Sequence, residues 1–119
     1  MSERRRRDMV AAVDMAREGH RVLWLDQRSS GTHAAFLAAV DLAPDAYRVS
    51  HLNGGQRIEY GNGGWLRFQN AQSHALRTTH LDAVVIAAHT LETSMLLHLF
   101  ECLRPSKLPA GLSRLRVTA

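Results

Sequence analysis

This chain of 119 residues contains a single cysteine and a single lysine, and it has no long hydrophobic run. Cys102 alone excludes an intramolecular disulfide and provides no second thiolate for a zinc site. The longest apolar stretches, such as residues 83–88, are too short to span a bilayer. The charged N-terminus is not followed by the apolar segment of a signal peptide. We therefore expect one domain of a cytoplasmic protein with no membrane partner.

The seven histidines do not suggest a metal centre either. A metal site needs three or four converging ligands, and no close spacing such as His-Glu-x-x-His occurs. We predict that the protein holds neither a metal ion nor another cofactor.

Positive charge, in contrast, is abundant: the net charge is +4 and the isoelectric point is about 10.2. Such a balance favours acidic partners, nucleic acid among them. The charge is concentrated in one run, which consists of Arg4, Arg5, Arg6 and Arg7. This run is either the solvated start of a helix or a surface that contacts nucleic-acid phosphates. Arginines at a helix N-terminus oppose the helix dipole, which points to a role other than helix stability.

The apolar pattern predicts an α/β protein with a small three-layer-type parallel sheet, flanking helices and an inserted β-hairpin from Gln56 to Phe68. Short buried-strand runs at residues 21–26 and 81–88 alternate with helical patterns at residues 2–18, 31–42 and 91–103. Ser2 is placed to cap the first helix and Gly19 to end it. Residues 1–104 form the predicted domain. Residues 105–119 form a proline-containing basic tail, which can add an edge strand through Leu115 and Val117.

The clearest local signal is that hairpin, in which two alternating runs flank Gly-Asn-Gly-Gly. Cross-strand partners must share a face because side chains alternate with period two. A loop of three residues, 62–64, keeps the apolar residues on one face. The predicted pairs are Tyr60 with Leu66, Ile58 with Phe68, and Glu59 with Arg67. We expect an odd loop in which a glycine at positive φ forms a bulge.

The hairpin and the segment after it resemble part of a known family. Residues 58–68 read apolar-Glu-aromatic-Gly-Asn-Gly-Gly-x-apolar-Arg-Phe. They are followed by a polar segment that contains Arg77 and then by the run Leu-Asp-x-Val-Val-Ile. This order resembles the ATPase domain of phage large terminase subunits, a P-loop core of the RecA/helicase type. In that family a comparable hairpin precedes an Arg-Gly-rich segment and the Walker B strand. The resemblance spans residues 8–100.

The ATPase elements of that family are missing from this chain. A phosphate loop needs glycines, whose N–H groups approach the phosphates, and a lysine, but residues 1–7 hold neither. The family's Walker B strand ends in Asp-Glu, where this chain has Ala87 and Ala88. Arg77 is followed by Thr78 where the family has glycine. The resemblance therefore implies a degenerate or truncated relative that is not an enzyme and has no catalytic residues.

We expect a non-catalytic, phage-type protein that acts by binding DNA or a protein partner. Candidate contact residues lie in the arginine run, on the outer face of the hairpin and in the segment after it: Arg4, Arg5, Arg6, Arg7, Arg57, Trp65, Arg67 and Arg77. Trp65 can stack on a base, or it can pack beneath the N-terminal helix.

Two other interpretations stay open. The chain can be part of a split ATPase whose phosphate loop is on another chain, or it can be a virion structural or host-directed interaction protein. An exposed edge of a small sheet also predicts a possible homodimer. The resemblance places the protein in the host cell cytoplasm or in a virion.

Overall fold

The computed structural model describes residues 2–52, 55–71, 80–88, 90–103 and 115–118. The elements of this part are α1 (Glu3–Arg17), β1 (Arg21–Asp26), α2 (Ser29–Leu42), β2 (Arg48–Ser50), β3 (Arg57–Glu59), β4 (Trp65–Asn70), β5 (Ala83–Ile86), α3 (Thr93–Cys102) and β6 (Leu115–Val117). The strands form one sheet in the order β2-β3-β4-β1-β5-β6. This confirms the predicted α/β class and the edge strand in the C-terminal segment.

Strand β1 pairs in parallel with both β4 and β5, and β5 pairs in parallel with β6. The pairs β2–β3 and β3–β4 are antiparallel. Since the antiparallel part joins the parallel part at β4, the sheet is mixed and not purely parallel. β4 pairs with β1 along its whole length, from Trp65 beside Arg21 to Asn70 beside Asp26. The hairpin is therefore an integral part of the sheet, because its second strand pairs with the central strand β1 and its first strand pairs with β2.

Helix α1 begins and ends as the sequence indicates. The Ser2 Oγ accepts a hydrogen bond from the Arg5 N–H at 3.2 Å and satisfies one free donor of the first turn. Gly19 has a φ of +100°, a conformation that other residues adopt at a cost, and it turns the chain from α1 into β1. This tight turn makes α1 antiparallel to β1, so its N-terminus lies near the carboxyl end of that strand.

The first face of the sheet is covered by α1 and α2. The largest side chains of this core include Met9 from α1, Phe36 from α2, and Trp24 and Leu66 from the sheet. All four are fully buried, and each such side chain stabilises the fold by roughly 1.5–3 kcal/mol relative to leaving it exposed.

The second face is covered by α3 over only part of its width. Met95 and Leu99 of α3 pack in one cluster with Leu23 of β1 and with Val84 of β5. Trp65, on β4, belongs to the same cluster. Within the described part of the chain, no helix lies over β2 and β3 on this face.

The loop of the hairpin has three residues, as predicted, and contains a glycine at positive φ. The Tyr60 N–H donates to the Gly64 carbonyl at 2.8 Å, and the Gly63 N–H donates to the Tyr60 carbonyl at 3.2 Å. Gly63 has a φ of +92°. The loop is therefore residues 61–63, one position earlier than predicted.

The predicted pairs of the hairpin are wrong by two residues. Ile58 lies opposite Leu66, and Arg57 lies opposite Arg67. In this register Gly64 packs against α1: a Cβ at this position would lie 1.9 Å from the Ala16 carbonyl oxygen, so only glycine fits there. A shift by two residues keeps every side chain on its predicted face, since the side-chain period is two.

Candidate nucleic-acid interface

Two residues of the arginine run are engaged in contacts within the protein. Arg5 Nη2 lies 2.6 Å from the Oδ2 of Asp26, at the carboxyl end of β1. Arg4 Nη2 donates to the Val117 carbonyl of β6 at 3.2 Å. The start of α1 is thus fastened to the central strand and to an edge strand of the sheet.

Arg5 has a structural role because its partner is buried. Asp26 is 4% exposed, and its carboxylate also accepts a hydrogen bond from the Gln27 N–H at 2.8 Å. A Cβ on Gly31 would lie 2.6 Å from the Asp26 Oδ1, so the start of α2 closes over this carboxylate. A buried carboxylate without a counter-charge is strongly destabilising. Arg5 supplies that charge and thereby stabilises the fold.

Arg6 and Arg7 are exposed on α1. In the described part of the chain, neither side chain makes a hydrogen bond or an ion pair. Arg6 also borders a shallow groove between α1 and α2, which is lined in addition by Ala38, Asp41 and Leu42. Arg4 is exposed as well, and a guanidinium with one donated bond keeps further donors. We call Arg4, Arg6 and Arg7 the α1 arginine surface.

Arg57 and Arg67 lie directly opposite each other on neighbouring strands of the second face. Two like charges in this position repel each other and destabilise the strand pair. Arg57 Nε lies 3.0 Å from the Glu59 Oε1 on the same strand. The guanidinium carbon of Arg67 lies 4.4 Å from the centre of the Trp65 ring, a cation–π contact.

The surroundings of Arg67 disfavour its charge. Burial is the main cause that lowers the pKa of this guanidinium, the nearby charges of Arg57 and Arg21 lower it further, and the Glu59 carboxylate opposes the shift. The Arg67 Nε is enclosed and has no hydrogen-bond partner. No hydrogen bond or ion pair joins its side chain to another described residue. The protein thus keeps a partly buried cation here that contacts the aromatic ring of Trp65.

Two arginines that the sequence analysis did not single out share this face. Arg48 pairs with Glu59, and Arg21 lies beside Trp65. Side chains of directly paired residues project to the same side of a sheet. We call Arg21, Arg48, Arg57 and Arg67 the basic sheet face. Only the register adds Arg21 and Arg48 to Arg57 and Arg67, because β1 and β2 are separated in sequence from the hairpin strands they flank.

Trp65 has a different role from both predicted ones. Its side chain is 8% exposed, so its ring has little free surface on which a base can stack. It lies in the cluster beneath α3 and not beneath α1, which covers the opposite face. Trp65 therefore supports Arg67 from within the protein.

The candidate residues consequently form two separate surfaces. The α1 arginine surface lies on the helical layer of the first face, and the basic sheet face lies on the second. The eighth candidate, Arg77, lies outside the described residues.

The carboxyl ends of β1 and β5 mark the position where open α/β sheets bind ligands. β1 leads into α2 on the first face, and α3 packs on the second face after β5. Ala87 and Ala88 follow β5 and are buried, at 1% and 6% exposure. In the described ranges, no three His, Cys, Asp or Glu side chains cluster as a metal site would require. Nor does any helix in those ranges have the length and apolar character needed to cross a membrane.

Comparisons with protein-family models, with curated proteins and with solved structures found no match to this chain.

Proposed function

We propose that this protein is a non-catalytic, phage-type binding protein, derived from a terminase-like ATPase core, that binds DNA through its α1 arginine surface. The observation that carries the proposal is the exposure of Arg6 and Arg7 without an intramolecular partner in the described part of the chain. Both guanidinium groups therefore keep their N–H donors available for the phosphate oxygens of a polyanion.

The absence of catalysis is supported by the residues at the end of β5. Ala87 and Ala88 stand where the resembling family has two carboxylates, and an alanine side chain neither binds magnesium nor orients a water molecule. The Asp26 carboxylate on the neighbouring strand is already paired with Arg5. We therefore expect no magnesium-dependent ATP hydrolysis above a blank, measured as released phosphate. Turnover by the purified chain would contradict the proposal, and turnover that needs a second chain would support a split ATPase.

DNA binding is tested with a fluorescent duplex at several salt concentrations. Each lost phosphate contact lowers the slope of log K against log salt by about 0.9. The triple variant R4A/R6A/R7A should therefore lower the slope by about 2–3 and weaken binding to every sequence alike. The matched control is Arg28→Ala, which removes an exposed arginine outside both the α1 arginine surface and the basic sheet face and should leave the slope unchanged.

Two results would overturn DNA binding at this surface. One is duplex binding by the wild type that does not weaken with salt. Phosphate contacts would then not contribute to it, and a protein partner would be favoured. The other is a triple variant with the affinity and slope of the wild type. The proposal also places the protein in the host cell cytoplasm or in a virion, where such DNA is present.

A further inference from the structure

We propose that Arg57 and Arg67 form a phosphate-binding subsite on the basic sheet face. The subsite is separate from the α1 arginine surface, because the two lie on opposite faces of the sheet. It rests on three observations: the arrangement of the two arginines, the contacts that hold them, and the shortage of negative charge around them.

The first observation is that the pairing of Arg57 with Arg67 is unfavourable for the isolated fold. Directly opposed residues have Cβ atoms about 5 Å apart, so the two positive side chains lie side by side. Arg67 is also partly buried, and its enclosed Nε lacks a hydrogen-bond partner. An enclosed donor without an acceptor destabilises the fold. An anion with several oxygen atoms would supply acceptors to both residues.

The second observation is that both guanidinium groups are held in place. The Trp65 ring lies 4.4 Å from the guanidinium carbon of Arg67, and Trp65 is itself fixed in the core. The Glu59 carboxylate lies 3.0 Å from the Arg57 Nε. A held side chain loses less conformational entropy when a ligand binds. Trp65 and Glu59 are therefore positioning residues for the two arginines.

The third observation is that the face has little negative charge of its own. All eleven aspartates and glutamates of the chain fall within the described residues. Among those residues, the negative charge of this face comes from Glu59, 3.0 Å from the Arg57 Nε, and from Asp82, which lies beside Arg21 and accepts its N–H at 2.9 Å. Arg21 and Arg48 add two further positive charges nearby. The local field consequently favours an anion.

The geometry points to phosphate in preference to a carboxylate. A carboxylate has two oxygen atoms, which a single arginine engages bidentately. A phosphoryl group has at least three oxygen acceptors, so two neighbouring arginines can bind it together. The group can belong to inorganic phosphate, to a nucleotide or to a nucleic-acid backbone, and all three present the same chemistry to the two arginines.

The test measures the binding of inorganic phosphate by calorimetry and by thermal unfolding, with chloride at equal ionic strength as the reference. Phosphate should raise the Tm of the wild type more than chloride does. Arg67→Gln should weaken phosphate binding about tenfold or more, the effect of losing a hydrogen bond to a charged group. The control Arg48→Gln, which removes a charge of the same face outside the subsite, should weaken it less than about threefold.

A second measurement separates a binding role from a structural one. Without phosphate, Arg67→Gln should raise the Tm slightly, because it removes the repulsion by Arg57 and the desolvated charge. The proposal is overturned if phosphate stabilises the wild type no more than chloride does. It is also overturned if Arg67→Gln lowers the Tm and leaves phosphate binding unchanged.

The source of the phosphoryl group is distinguished by repeating the titration with a mononucleotide and with a single-stranded oligonucleotide. A nucleic-acid backbone as ligand predicts that the oligonucleotide binds at least tenfold more tightly than inorganic phosphate and that Arg67→Gln abolishes this gain. If the oligonucleotide binds no more tightly than inorganic phosphate or the mononucleotide, the ligand is a small phosphorylated molecule. The variant R4A/R6A/R7A should bind inorganic phosphate as the wild type does. The phosphate titration therefore tests the Arg57 and Arg67 subsite even if DNA does not bind at the α1 arginine surface.

Discussion

The two faces of the sheet differ in what covers them. The first face lies beneath α1 and α2, and its strands contribute apolar side chains such as Ile58, Leu66 and Phe68. The second face is apolar only beside α3, and beyond it the same strands present Arg57 and Arg67. Alternation along β3 and β4 thus sends apolar residues to one side and charge to the other.

This difference separates residues that hold the fold together from residues that are free to contact a partner. Burial of the first-face core provides the stability that the fold requires. The basic sheet face provides little, since opposed arginines repel each other and one of them is desolvated. We infer that the basic sheet face binds an anion because its opposed arginines lower the stability of the isolated protein.

The largest effect is expected in the first-face core, at Phe36. Its ring is fully buried and contacts the Phe68 ring edge-on at a centroid distance of 5.5 Å. Phe36→Ala should lower the free energy of unfolding by about 3–5 kcal/mol, because it leaves a cavity in the core. Urea denaturation measures this loss. Leu97→Ala, on the exposed side of α3, should change it by less than about 0.5 kcal/mol. If both variants lowered the free energy of unfolding equally, Phe36 would not be a core residue and Leu97 an exposed one, as described.

A smaller loss is expected where the hairpin meets α1. A Cβ on Gly64 would collide with the Ala16 carbonyl, whereas a Cβ on Gly61 would meet nothing within 4 Å. Gly64→Ala should therefore cost about 1–3 kcal/mol in urea denaturation, because a backbone atom has to move. Gly61→Ala should be close to neutral. If both variants are neutral, the hairpin does not pack against α1 in this register.

The arginine run should divide into a structural member and an exposed member. Arg5→Gln leaves the buried Asp26 carboxylate without its counter-charge and should cost about 1–3 kcal/mol, less than a fully buried pair because Arg5 is partly exposed. Arg6→Gln should change stability by less than about 0.5 kcal/mol. Both are measured by urea denaturation at pH 7. A larger cost for Arg6 than for Arg5 would contradict the assignment of the exposed arginines to binding.

The smallest effect concerns pH. Burial is the main cause that raises the pKa of Tyr60 above its usual 10.0, and its hydroxyl donates to the Asp45 Oδ1 at 3.3 Å. A raised pKa favours the neutral phenol in the folded state. Its contribution is therefore complete below pH 10 and is lost as the pH rises through the folded pKa.

Tyr60→Phe should accordingly show a flatter alkaline decline of stability than the wild type. The expected difference is about 1 kcal/mol or less, the net value of one hydrogen bond. Denaturation midpoints between pH 9 and 11 measure it. The control is Tyr47→Phe, at a residue that is 80% exposed, and it should follow the wild type. If the stability of the wild type, Tyr60→Phe and Tyr47→Phe declines in parallel, the Tyr60 hydroxyl is not buried and hydrogen-bonded as described.

Most of the fold was predictable, because its signals are local. Ser2 and Gly19 act within one turn of α1, and Gly63 acts within one loop. The order of helices and strands follows from the period of apolar residues over short windows. The predicted candidate site was less complete. Arg57 and Arg67 were recognised, but Arg21 and Arg48 became part of their surface only through strand pairing.

The amino-acid sequence by itself determined the α/β class, the alternation of the hairpin strands and its odd loop, since backbone propensities and side-chain period depend on near neighbours. Only the tertiary structure decided the register of the hairpin, the central position of β4 and the partner of Arg5. These features depend on contacts between distant residues, such as Gly64 with Ala16 and Arg5 with Asp26. They also place Arg67 opposite Arg57, a pairing that no local pattern of residues indicates.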